Sequence, residues 1–68
     1  MSLRKIKVEV IKEIQKEEYI RTEDIAKALG ISMDVWYNYC FKRVLPNKCV
    51  KLLADFLHID KEKLIDKD

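Results

Sequence analysis

Glycine and proline are almost missing from this chain, which carries a single Gly (Gly30) and a single Pro (Pro46) among 68 residues. A sheet-rich fold needs far more turn chemistry than that, while the strong helix formers Leu, Lys and Glu are abundant, so an all-α fold is expected. Long apolar runs are lacking too. None approaches the roughly 20 residues of a membrane span, and the N-terminus has no apolar stretch of the secretory type, which leads to the expectation of a cytoplasmic protein with no membrane partner. Histidine occurs once and cysteine twice. Cys49 and His58 fall on one expected helix, nine residues apart, where the helix turns about 900° and advances roughly 13 Å; they cannot meet on one ion. With Cys40 as the other thiol, the set offers no zinc spacing, and reduced, packed cysteines with no metal and no cofactor are expected. Catalytic patterns are equally absent. There is no Gly-rich phosphate loop and no Ser or Cys with a nearby base, and His58 beside Asp60 forms only a helix-end pair, so no enzyme is expected.

What is present makes one small domain over residues 1–68, with a core too limited for a deep, water-free cavity and no room for a separate effector-binding unit. The most informative stretch is TEDIAKALGISMDVWYNYCFKRVLP, residues 22–46. Ala26 lies four residues before Gly30, on the inner face of a first short helix, where a second helix must cross closely. Gly30 permits the positive φ of a sharp turn. Ile25 and Leu29 give the first helix an apolar face, Ile31 can plug the angle between the two, and Ser32 is a good N-cap for the second.

The remaining elements follow from periodicity. Leu3, Ile6, Val10 and Ile14 share a helical arc of about 80°, which predicts a first helix over residues 4–18. The segment IKVEV also alternates like a strand, the competing reading, with the helix preferred. A second helix is expected over Glu23–Leu29 with Thr22 as N-cap, and a third over Met33–Phe41. Pro46 then opens a fourth helix, where its missing N–H costs nothing. On that helix Val50, Leu53, Ala54 and Leu57 form the apolar stripe, and Cys49, Leu52 and Phe56 widen it to an arc near 200°, leaving Lys51, Asp55 and His58 toward water. Asp60 is placed to cap a last short helix through Leu64 and Ile65, and the tail 66–68 is expected to fray.

From Thr22 to Ile65 the chain resembles the Cro and phage-repressor type of helix-turn-helix domain, the Xre family of small bacterial and phage regulators. The resemblance rests on DIAKALGIS, on Pro46 sixteen residues after Gly30, and on LLADFLHIDKEKLI, similar to the family's leucine-rich helix, polar break and short final helix. It implies a compact bundle of about five short helices with a helix-turn-helix core at about 22–41. It also implies sequence-specific binding of double-stranded DNA, usually as a homodimer on a palindromic operator, and transcriptional regulation, most commonly repression.

In such a motif the second helix lies in the major groove. Ser32, Met33, Asp34, Tyr37 and Asn38 are then the base-contact candidates, while Ile31, Trp36 and Tyr39 should turn inward. Asn38 suits adenine, Asp34 can accept from cytosine N4, and Met33 or Tyr37 can touch a thymine methyl. Thr22, Lys42, Arg43 and Lys48 are the phosphate-contact candidates. Charge supports that grouping, because residues 32–51 carry a net +3 and residues 52–68 a net −2, within an overall +2. Leu52, Phe56, Leu64 and Ile65 are the dimer-interface candidates. The chain departs from the family pattern in three places: Trp36 stands where Ile or Val is usual, so that the indole either enlarges the core or emerges as a contact surface; Lys42 stands where Gly often ends the helix, which would let that helix run longer; and the reading face lacks Arg or Gln but includes Asp34. A protein-interaction module of antitoxin-like or anti-repressor type is the rival reading, with Met33, Trp36, Tyr37 and Phe41 as an exposed apolar patch.

Overall fold

A computed structural model describes residues 2–66. In chain order these form strand β1 (Leu3–Lys5), helix α1 (Val8–Glu18), α2 (Thr22–Leu29), α3 (Met33–Lys42), strand β2 (Val44–Pro46), α4 (Asn47–Leu57) and one 3-10 turn (Lys61–Lys63). The molecule is therefore mostly helical, but the expected five-helix bundle is corrected in two places.

The first correction is at the N-terminus, where the competing strand wins residues 3–5. β1 pairs antiparallel with β2 in the register Leu3–Pro46, Arg4–Leu45 and Lys5–Val44. The Ile6 N–H donates to the Arg43 carbonyl at 3.0 Å and the Asn47 N–H to the Ser2 carbonyl at 3.1 Å, extending the ladder at both ends. The C-terminal segment adds to the other edge of β1. Lys7 N–H donates to the Leu64 carbonyl at 2.8 Å, Asp66 N–H to the Lys5 carbonyl at 2.9 Å, and Ile6 forms a bridge with Ile65. The segment from β1 to Lys7 is thus bonded on both sides, toward β2 and, at Lys5 and Lys7, toward residues 64–66, and a helix there would forfeit those bonds. Extended geometry sends Ile6 fully into the core and leaves Leu3 exposed, so Leu3 is not part of a buried helical arc. On α1 the buried residues are Val8 and Ile11, with Val10 and Ile14 partly buried beside them.

Secondly, the last helix shrinks to the single 3-10 turn. Asp60 does occupy its N-cap position, without a side-chain capping bond. Leu64 and Ile65 lie beyond the turn because Ile65 is drawn into the bridge with Ile6. Asp66, expected to fray, is held by its bond to Lys5, and the rest of that tail lies outside the described residues.

Pro46 also differs from expectation. It is the last residue of β2 and the N-cap of α4, not a helical residue. The bonds at Ser2–Asn47 and Ile6–Arg43 alternate along the ladder so that Leu3–Pro46 is a non-hydrogen-bonded pair, where a missing N–H takes nothing from the sheet.

The turns are resolved by local chemistry. α2 starts one residue earlier than expected, with Arg21 as N-cap and Thr22 inside the helix. It ends at Gly30, whose φ is +71° and whose N–H reaches the carbonyls of Ala26 and Lys27. A Cβ on Gly30 would meet nothing within 4 Å, so the glycine serves the backbone angle and not a close approach. Ser32 caps α3 as expected, its Oγ accepting from the Val35 N–H at 3.2 Å. α2 packs on both α3 and α4. Ile6, Ile11, Ile25, Leu45, Val50, Leu53 and Leu64 are the most deeply buried residues, and each such side chain withdrawn from water favours the fold by about 1.5–3 kcal/mol. Among the described residues no helix is long and apolar enough to cross a membrane.

Candidate nucleic-acid interface

The α2–Gly30–α3 unit presents α3 with one side against the core and the other toward solvent. Successive residues turn by about 100°, which places Trp36, Tyr39 and Cys40 on one arc and Phe41, Asp34 and Asn38 on the opposite one. Burial follows this wheel. Trp36 is 2% exposed, and Tyr39 and Cys40 are partly buried, whereas Asp34, Tyr37 and Asn38 are exposed and Phe41 is 87% exposed. Trp36 therefore enlarges the core and is not a contact surface. Ile31 packs partly buried against the same core.

All five base-contact candidates lie on the exposed side of the chain, Met33 at its margin. Ser32 is the most constrained, because its oxygen already caps α3. Phe41, considered in the sequence only as part of a protein-binding patch, is the most exposed of the large hydrophobic side chains of α3, and its place in line with Met33 and Tyr37 at four-residue steps was legible in the spacing. That patch loses Trp36, which the core has taken.

The phosphate-contact candidates divide. Lys42 and Lys48 are exposed, Lys42 as the final residue of α3 and Lys48 in the first turn of α4. Thr22 is partly buried, with its hydroxyl accepting from Gln15 Nε2 of α1 at 3.4 Å. Arg43 is held elsewhere: one guanidinium nitrogen donates to both carboxylate oxygens of Glu9, at 2.6 and 2.7 Å. This hydrogen-bonded pairing pulls the Glu9 carboxyl below its ordinary pKa and pushes the Arg43 guanidinium above its own. Both partners are solvent-exposed, so the pair is a surface clamp between α1 and the end of α3. Arg43 also closes α3 in the left-handed conformation at φ 60°, directly after Lys42, so the helix ends within one residue of its expected bound at Phe41 and does not run on. Its N–H bonds to the Cys40 and Tyr39 carbonyls satisfy the helix end instead.

Lys5 was missed in the sequence. It lines one hollow with Lys42, Arg43 and Asp66, because β1 pairs beside the loop that follows α3. A helix over residues 4–18 would not pair with β2 and would not bring Lys5 there.

Of the dimer-interface candidates, Leu52 and Phe56 lie one turn apart on the outer flank of α4 and are 37% and 36% exposed. Leu64 and Ile65 are corrected: they are 0% and 5% exposed, filled into the chain's own core beside the Ile6–Ile65 bridge, and offer no face to a second copy.

Both cysteines are free thiols, Cys49 buried and Cys40 partly so, and burial raises the Cys40 pKa. Among the described residues no group of three or more His, Cys, Asp and Glu side chains is placed to share a metal ion. Comparison with protein-family models, with curated proteins and with solved structures finds no match to this chain.

Proposed function

We propose that this chain is a small, non-catalytic regulator of the Cro and phage-repressor kind that binds double-stranded DNA sequence-specifically, with α3 in the major groove. The observation that carries the reading is the arrangement of α3: anchored by Trp36, capped by Ser32, set off from α2 by the positive-φ turn at Gly30, and exposing Asp34, Tyr37 and Asn38 on its outer side. Lys42 and Lys48 stand exposed at and just beyond its end, where flanking phosphates run. Arg43, engaged by Glu9, is assigned to bracing α1 against that loop. Leu52 and Phe56 are the faces through which two copies pair, placing two α3 helices about one DNA turn, roughly 34 Å, apart on a palindromic operator. The protein then acts in the cytoplasm, most simply as a repressor, with no small-molecule effector.

The second reading, a protein-interaction module, draws on the exposure of Phe41 beside Tyr37. Salt separates the two. Enrichment from a random duplex pool at two salt concentrations should return a palindromic motif whose binding weakens with salt. Replacing Lys42 and Lys48 together by alanine should flatten the salt slope by about 0.9 for each phosphate that is no longer neutralised. No enriched motif, with the double variant indistinguishable from the parent, refutes the DNA reading.

A further inference from the structure

The outer side of α3 has an uneven chemistry. Met33, Tyr37 and Phe41 follow one another at four-residue steps, and all three are exposed. Such steps advance about 6 Å each and drift by about 40°, so the stripe runs roughly 12 Å along the helix, the length of three to four stacked base pairs at about 3.4 Å. Asp34 and Asn38 line the stripe on one side. No arginine or lysine lies on α3 before its last residue, Lys42, which sits at the hollow shared with Lys5, Arg43 and Asp66. With Arg43 paired to Glu9, exposed Lys42 and Lys48 still stand at and just beyond the end of α3, and Asp34 is the single acid between Met33 and Lys51.

Base edges differ in what they demand of such a face. Guanine offers two acceptors, N7 and O6, and is most often met by a cationic side chain with paired donors, which the stripe lacks. Thymine offers a C5-methyl group, which an apolar surface covers. Adenine offers an N6 donor beside an N7 acceptor, matching the carboxamide of Asn38, and Asp34 can accept only from an amino group, adenine N6 or cytosine N4. Phe41 exposes almost its whole ring, and a methyl group is a partner that it can desolvate without leaving a polar atom unpaired.

We infer that α3 recognises its half-site chiefly through thymine methyl groups covered by Met33, Tyr37 and Phe41, with Asn38 on an adjacent adenine and no guanine edge contacted. This rests on the DNA-binding reading above and names the class of site it would select: A·T-rich at the positions under α3.

The test uses the full chain and the duplex it enriches. Each thymine of the half-site is replaced singly by deoxyuridine, which pairs identically but lacks the methyl, and each guanine by 7-deazaguanine, which lacks N7. Loss of a covered methyl should weaken binding about fourfold per thymine, the burial of one carbon converted to an equilibrium constant. The 7-deazaguanine duplexes should bind as the parent does. Phe41→Ala and Tyr37→Ala, both at exposed positions, should keep the parent's melting behaviour, bind more weakly, and each lose the deoxyuridine effect at its own thymine. If deoxyuridine is neutral throughout, or if 7-deazaguanine weakens binding, the inference is overturned while DNA binding stands. If no duplex is enriched at either salt concentration, the inference and the DNA reading fall together, and α3 is a surface for a protein.

Discussion

Replacing Trp36 by alanine should come close to unfolding the protein. The indole is 2% exposed and lies where α3 meets the core, so truncation empties on the order of 200 Å² of aromatic contact. Large-to-small changes of this kind remove about 3–5 kcal/mol. A single core in a domain below about 70 residues rarely supplies more than that in total. Trp36→Ala should therefore be largely unfolded near 25 °C, whereas Trp36→Phe, which keeps an aromatic ring, should lose about 1–2 kcal/mol. Far-UV circular dichroism is the appropriate assay, because this is the sole tryptophan and its fluorescence disappears with it. At about 4–8 °C per kcal/mol, the Phe variant should melt roughly 5–15 °C below the parent. Phe41→Ala provides the internal contrast: at 87% exposure it should stay within about 0.5 kcal/mol of the parent. If Trp36→Ala melts with the parent, or if Phe41→Ala is the more damaging change, α3 is rotated about its axis relative to this placement, and the base-contact assignment turns with it.

Other consequences can be checked on the same samples. Gly30→Ala should lower stability by about 1–2 kcal/mol in urea titrations, since the added methyl meets nothing and only the positive φ resists it; a loss twice as large would mean hidden crowding at the turn. Because Arg43 lowers the Glu9 pKa in the folded state, the clamp contributes above the unfolded carboxylate range and fades as pH falls through the folded value. Parent and Glu9→Gln should accordingly differ most near neutrality and converge below about pH 4, a convergence that added salt at pH 7 should imitate; a gap that widens in acid would contradict the assignment. Cys40, raised by burial, should be alkylated more slowly in the native protein than in urea at the same pH, and equal rates would place its thiol in solvent.

Local chemistry was enough to locate α2, its turn and α3. Gly30, Ser32 and the spacing of Ile25, Ala26 and Leu29 act within a few residues of themselves, so the turn, the cap and the helix bounds were legible to within a residue. The apolar stripe of α4 from Val50 to Leu57 was legible for the same reason, whereas spacing gave Trp36 an inward direction but left a surface role open for so large a ring, and core packing decided it. The ambiguous segments were those whose backbone partners lie far along the chain. Leu3 to Ile6 can follow either a helical or a strand period, and the choice fell to β2 and to residues 64–66, which supply hydrogen bonds that no local pattern announces. The same closure carried Leu64 and Ile65 from a supposed interface into the core and set Lys5 beside Lys42. It is likewise tertiary placement that brings Glu9 within reach of Arg43, 34 residues away, and so turns a cation expected to meet phosphate into one that holds α1 in place. Short-range periodicity and capping thus wrote the helices into the sequence, while long-range pairing of backbone and charge decided which faces of them remain free.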